Sequence, residues 1–286
     1  MTGDVPGSRR ERITETGFVE IAGARAKYVR AGRGSPLLLI HGLVGGSANW
    51  RGNIPALAEH RTVYALDLLG MGQSDRVPGL AAGLRETAQR VLATMDALAI
   101  DVADVSAASH GGSVAMMLAA IAPERVRSLV LFAPANPYSR ATDWMLRAYA
   151  STLGGWAARM APQLPAWIQR IALRRMFGDP RRIPEGSLEP YRQALRVPGT
   201  ITHVLAMVRD WVSEMEKLRC VLPLLARTPT LLVWGDRDRV VSLESGQRLE
   251  RELRAELVVL RGAGHLVFEE LPQQVNQLMI QWLKRR

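Results

Sequence analysis

Cysteine, lysine and long apolar runs are all scarce in this chain, and each scarcity excludes something. Cys220 stands alone, so no disulfide can form within the chain. That suits a reducing compartment, and a cytoplasmic location is the expectation. No apolar run approaches the length of a membrane span; the longest, Val114–Ala122, reads as a buried helix. Residues Met1–Thr16 carry Arg9, Arg10, Glu11, Arg12 and Glu15 but no apolar h-region, so they do not read as a signal peptide. Only Lys27, Lys217 and Lys284 among the 37 basic residues are lysines. The formal charge of +10 therefore comes mainly from arginine scattered along the chain. No nucleic-acid motif accompanies it, so no nucleic-acid partner is expected, and the basicity bears on solubility and weak adsorption to membrane surfaces. No cluster of side chains has metal-ligand spacing, and no glycine-rich loop has the form of a P-loop or dinucleotide site. Neither a cofactor nor a metal is expected.

What is present fits one domain with an insertion. A chain of 286 residues, 48% hydrophobic and 22% charged, buries a substantial core. Short apolar runs alternate with helical stretches, the pattern of a mostly parallel sheet covered by helices. Phe18–Ile21 and Ala26–Val29 read as an opening hairpin. Leu37–Ile40, Val63–Leu66, Val102–Ala108, Ser128–Phe132, Thr230–Trp234 and Glu256–Leu260 read as buried strands, and Leu84–Leu98 and Val114–Ile121 as helices. From Pro137 to Leu222 no strand is legible, only helical stretches cut by glycine and proline. The expected organisation is a core in two parts, 1–136 and 223–286, around a helical insertion at 137–222. Trp144, Trp156, Trp167 and Trp211 fall in that insertion. Either they line a pocket or they form the insertion's own small core.

The segment with the most chemistry is Ala107-Ala108-Ser109-His110-Gly111-Gly112, between an expected strand and an expected helix. A nucleophile on such a strand-to-helix turn needs small neighbours two residues away on each side, which Ala107 and Gly111 supply. The helix N-terminus then aims backbone N–H groups at a developing oxyanion. The segment resembles the nucleophile elbow of α/β-hydrolases, G-x-S-x-G, with Ala107 in place of the first glycine. Four further segments carry the resemblance: Leu37-Leu38-Leu39-Ile40-His41-Gly42-Leu43-Val44-Gly45, the strand and oxyanion loop; Asp67-Leu68-Leu69-Gly70-Met71-Gly72-Gln73-Ser74-Asp75; Trp234-Gly235-Asp236-Arg237-Asp238; and Gly262-Ala263-Gly264-His265. They stand in the family's order, Ser, Asp, His, and span roughly Gly17 to the C-terminus.

The resemblance implies an α/β-hydrolase fold, a mostly parallel sheet flanked by helices with a helical lid, and a catalytic triad of Ser109, Asp238 and His265. His265 takes the serine proton as general base, and the acid holds its tautomer. Asp236 is the alternative acid, two residues away; Ala133-Pro134-Ala135-Asn136 offers no carboxylate at the other position used in the family. The backbone N–H groups of Leu43 and His110 are the expected oxyanion hole. His41 reads as a residue that orders its loop, His60 as surface, His110 as a backbone contributor whose side chain packs or is solvated, and His203 as a satisfied structural histidine, with a place facing the pocket as the alternative.

Serine at position 109 sets the chain apart from the dehalogenase and epoxide hydrolase branches of the family, which use aspartate. His110 is not the tryptophan of prolyl peptidases, and Leu266 is not the aromatic that follows the histidine in carbon–carbon bond hydrolases. The expectation is a carboxylic-ester hydrolase acting on a small-molecule ester of short or medium acyl chain, with lactones and thioesters in reach. A carbon–carbon bond hydrolase or a cofactor-free haloperoxidase or perhydrolase on the same triad is the alternative, and a ligand receptor retaining the triad a third reading. In the insertion, Met145, Met160, Met176, Met207 and Met215 are candidate pocket residues. Arg170, Arg174, Arg175, Arg181 and Arg182 form either a solvated face or a site of attraction for anionic lipid or substrate. The sequence leaves the oligomeric state open.

Overall fold

The computed structural model describes residues 14–139 and 151–285. The leader reading of residues 1–13, together with Trp144 and Met145, lies outside them. Eight strands form one sheet: β1 (Thr14–Ile21), β2 (Ala24–Ala31), β3 (Pro36–Ile40), β4 (Thr62–Leu66), β5 (Ala103–Ala108), β6 (Val126–Phe132), β7 (Thr230–Gly235) and β8 (Glu256–Leu260). Their order is β1-β2-β4-β3-β5-β6-β7-β8. The β1–β2 and β2–β4 pairs are antiparallel and every later pair is parallel. Ala22 and Gly23, both at positive φ, make the two-residue turn of the opening hairpin. All eight expected strands are present, several longer by two to four residues.

The parallel strands are apolar on both faces because helices cover both faces. Leu38 and Ile40 of β3, Leu129 and Leu131 of β6, and Leu232 and Trp234 of β7 face one core. It is shared with helices α1 (Leu84–Ala97), α2 (His110–Ile121) and α8 (Leu243–Leu253). The alternate residues Leu37, Leu39, Val130, Phe132, Leu231 and Val233 face the second core, under Trp50 and helix α9 (Pro272–Lys284). Helix α2 begins at His110, earlier than its apolar pattern suggests, because the turn at Ser109 feeds straight into it.

Among the described residues only helices and turns lie between β6 and β7: α3 (Thr152–Met160), α4 (Ala166–Arg174), α5 (Leu188–Arg196), α6 (Thr200–Arg209) and α7 (Trp211–Val221). The strand order reverses around β3, which sends its successors to either side. Such a reversal opens a crevice beyond the C-terminal ends of β3 and β5. Among the described residues no helix is long and apolar enough to cross a membrane.

Candidate active site

Ser109 sits at the crevice in a backbone conformation that few L-residues adopt, φ +51° and ψ −123°. Such a conformation costs about 1–3 kcal/mol and persists only where the surroundings over-determine it. Here the Ser109 N–H donates to the Phe132 carbonyl at the end of β6 (3.0 Å), and the Ser109 carbonyl accepts from Gly112 (2.9 Å) and Ala135 (3.0 Å). A side chain at position 111 would collide with the His41 carbonyl, and one at 112 with Pro134. The two glycines therefore let helix α2 approach the strand ends as closely as the serine turn requires.

The loops after β7 and β8 reach the same sheet edge and bring a carboxylate to an imidazole. Asp238 Oδ2 accepts from His265 Nδ1 at 2.9 Å, and both side chains are buried. Asp238 Oδ1 accepts from the N–H groups of Val240 (2.7 Å) and Val241 (3.0 Å), which fix the carboxylate plane. With its Nδ1 proton committed to Asp238, His265 keeps Nε2 free to accept. Asp236 turns elsewhere and accepts from the Gly262 N–H at 2.7 Å.

The loop after β3 is the third component. His41 is wholly buried, and burial pushes its imidazole below the ordinary value. Its Nε2 accepts from the Leu68 N–H (3.0 Å) and its Nδ1 donates to the Gly42 carbonyl (2.7 Å), so the ring is neutral and ties the loops after β3 and β4 together. Asp67 adds a second tie, accepting from the N–H groups of Ser47 and Gln73. Gly72, at positive φ, leaves no room for a side chain beside it. Gly42 packs on the Ser109 side chain: a Cβ there would lie 3.1 Å from that of the serine. Val44 holds the loop at φ +62°, an outlier for a β-branched residue. Among the described residues neither the Leu43 nor the His110 backbone N–H has a protein acceptor. Beneath the site Trp50, Phe132 and Phe268 stack with centroids 4.3–5.9 Å apart, joining this loop, β6 and the histidine loop.

Two residues that sequence reasoning missed pin these loops to the helices. The Glu270 carboxylate is fully buried and accepts three backbone N–H groups: Gly264 (2.8 Å), Gly178 (2.9 Å) and Asp179 (2.9 Å). The His265 N–H itself donates to the Met176 carbonyl (2.8 Å). Glu269 accepts from Asn49 (3.0 Å), Arg51 (3.3 Å) and the Tyr191 hydroxyl; burial raises its carboxyl above the ordinary range. The legible signal was two adjacent acids inside the apolar run Val267–Leu271.

Of the other expectations, those for His203 and for the tryptophans and Met160 of the insertion need correction. His203 is buried but not satisfied: its Nε2 has no partner, and its ring fills the space above Gly70. His110 packs against Trp211, with neither ring nitrogen bonded. Burial holds both imidazoles at about 4, helped for His110 by His41 and His203, and for His203 by Arg90 and Arg76. His60 is exposed. Met207 and Met215 are buried, whereas Trp156, Trp167 and Met160 are exposed and so serve neither as pocket wall nor as core. Among the described residues no three His, Cys, Asp or Glu side chains converge as a metal set.

A strained serine turn, a carboxylate–imidazole pair and a glycine loop lie at the C-terminal edge of one parallel sheet. The chain belongs to the alpha/beta hydrolase fold family, whose model matches residues 35–272. It is 33% identical over 272 residues to the dihydrolipoyllysine-residue acetyltransferase component of the acetoin cleaving system of Pseudomonas putida, covering 93% of this chain and 68% of that protein. It is 30% identical to the 2-hydroxymuconate semialdehyde hydrolase of Pseudomonas sp. strain CF600, covering 85% of each. The crystal structure of a meta-cleavage product hydrolase superposes with a TM-score of 0.78 at 26% identity, covering 94% of this chain and 98% of that one.

Proposed function

We propose that the protein is a serine hydrolase that cleaves carboxylic esters of short or medium acyl chain through an acyl-serine intermediate. The observation that carries this reading is the Asp238–His265 hydrogen bond at the sheet edge where the strained Ser109 turn emerges. Ser109 attacks the ester carbonyl while His265 Nε2 takes its proton, and Asp238 holds the ring and stabilises the imidazolium. The N–H groups of Leu43 and His110 receive the charge that develops on the carbonyl oxygen. His265 then returns the proton to the departing alkoxide, and water repeats the sequence on the acyl-serine. The helices of the 137–222 segment act as the lid over the two-part core of 1–136 and 223–286. The expected result is that purified protein hydrolyses p-nitrophenyl acetate and butyrate and that Ser109→Ala abolishes the turnover. A folded protein inert across a broad panel of esters and lactones sinks the reading.

A carbon–carbon bond hydrolase on the same triad is the second reading, favoured by the 30% identity with 2-hydroxymuconate semialdehyde hydrolase over most of both chains. Leu266, in place of an aromatic residue after His265, weighs toward esters. Loss of the absorbance of a vinylogous diketone, at a rate above that with any ester, decides for the second reading.

A further inference from the structure

Helices α3 and α4 and the turn between them turn an apolar face outward. Leu153, Trp156 and Met160 recur at helical spacing on α3; Leu164, Trp167 and Ile171 continue the surface through the turn and along α4. Trp156 is 62% exposed and Trp167 65%. More than half of the large apolar side chains left exposed among the described residues lie in this one stretch. The inner side of α4 is already occupied, since Leu173 and the adjoining Phe177 are buried in the core beside the histidine loop. Both sides of the segment are thus apolar, and only one has a partner within the fold. Contiguous exposed apolar surface of this kind marks an interaction site.

Charge identifies the partner. Residues 151–175 contain Arg159, Arg170, Arg174 and Arg175 and not one acidic residue. All four arginines are exposed, and among the described residues none of them forms an ion pair. On α4, Arg170 and Arg174 flank Trp167 and Ile171 on the same face, by the three- and four-residue spacings of a helix. A second copy of the chain is a poor occupant, because a two-fold contact would bring these arginines against their own copies. The geometry points to an anionic phospholipid bilayer as the surface on which this face docks. The tryptophan rings enter at the headgroup level, the aliphatic side chains reach the acyl boundary, and the arginines extend back to the lipid phosphates. The inference is independent of the reaction assigned to Ser109.

The test is co-sedimentation of the full chain with vesicles of phosphatidylcholine alone and of phosphatidylcholine mixed with phosphatidylglycerol, read together with tryptophan emission. The expected result is binding to the mixed vesicles with a blue-shifted emission, weakened by added salt, and little binding to phosphatidylcholine. The triple variant R170Q/R174Q/R175Q binds the mixed vesicles about a hundredfold more weakly, at roughly fivefold per charge near an anionic surface. Trp156→Ala/Trp167→Ala loses at least about tenfold. Both variants keep the wild-type melting temperature and turnover of a water-soluble substrate, since every altered side chain is exposed. Wild-type protein left in the supernatant overturns the proposal, as does equal binding to both vesicle types or variants that bind like wild type. A dimer in solution that the tryptophan variant dissociates also overturns it, because the face is then a contact between copies.

Discussion

Replacing Glu270 by glutamine tests whether a residue outside the proposed Ser109–His265–Asp238 set holds that set together. The carboxylate has no solvent contact, and its two oxygens accept three main-chain N–H groups from two separate loops. Glutamine retains one acceptor oxygen. Placed at the Oε2 position it still serves Gly264 and Gly178, but its amide nitrogen then faces the Asp179 N–H, donor against donor. The alternative orientation forfeits two bonds. A hydrogen bond to a charged group contributes about 1.5–3 kcal/mol, and a buried donor left unpaired costs a further 1–3, so the cheaper orientation loses about 2.5–6 kcal/mol. That is a large part of the roughly 5–15 kcal/mol of a typical domain, so the variant folds but unfolds at markedly lower urea.

Urea unfolding followed by far-ultraviolet circular dichroism measures the first effect. Steady-state turnover of a p-nitrophenyl ester, at a temperature where both proteins are folded, measures the second. Gly264 precedes His265, and the His265 N–H is bonded to Met176 two residues before Gly178. Loosening this joint displaces the imidazole, and a shift of about an ångström costs up to roughly a hundredfold in rate. An E270Q protein within about 0.5 kcal/mol of wild type, the range of an ordinary surface substitution, refutes the reasoning. So does one that is destabilised but turns over at the wild-type rate.

Four other substitutions separate the roles assigned above. Asp238→Asn keeps the acceptor toward Val240 and Val241 but presents a donor to His265 Nδ1; kcat falls by about 10³–10⁴ with stability little changed, whereas Asp236→Asn leaves kcat within about twofold. Comparable losses from both variants would show that the acid is misassigned. Gly111→Ala drives a methyl into the His41 carbonyl, so the protein loses about 1–3 kcal/mol in urea unfolding along with most of its activity; an unaffected variant removes the close-approach argument. His110 and His203 titrate at about 4 in the fold against an ordinary 6.5. The unfolded chain therefore binds more protons between these values, so their contribution is complete above about pH 6.5 and is lost as pH falls toward 4. For fully buried His110 this amounts to about 3 kcal/mol. Urea midpoints measured from pH 7 to 4 fall less steeply in His203→Gln than in wild type; parallel slopes contradict it.

Strands and motif residues were legible in the sequence for one physical reason. A strand buried on both faces has to be an unbroken apolar run, and a strained turn has to be flanked by small residues. Leu37–Ile40 and Ala107–Gly111 satisfy these demands locally, so neither needed tertiary information. The choice between Asp236 and Asp238 did. Both follow β7, and only the direction of the chain after Gly235 sends one carboxylate to the Gly262 N–H and the other to His265. His203 was misread because satisfaction depends on neighbours that a sequence does not display. Glu269 and Glu270 were passed over because adjacent acids ordinarily mean a solvated surface. Here their carboxylates accept from main-chain N–H groups and from a tyrosine hydroxyl more than 70 residues away.

Those two carboxylates also explain why the helices between β6 and β7 carry no readable motif for substrate while the sheet edge does. Polar ties from that segment to the core begin at Met176 and continue through Gly178, Asp179, Ser187, Tyr191 and Thr200. From Leu153 to Arg175, among the described residues, no hydrogen bond or ion pair reaches the sheet. Positioning of a histidine is a sub-ångström requirement, met by charged hydrogen bonds to named backbone groups, and such bonds demand particular residues. Packing α3 and α4 against their neighbours demands only apolar side chains at helical spacing, which many sequences supply. Residue identity is therefore tightly constrained where the chain is pinned and loosely constrained where it is merely packed. The face of α3 and α4 departs from that rule: its tryptophans and arginines exceed what packing within the fold asks for.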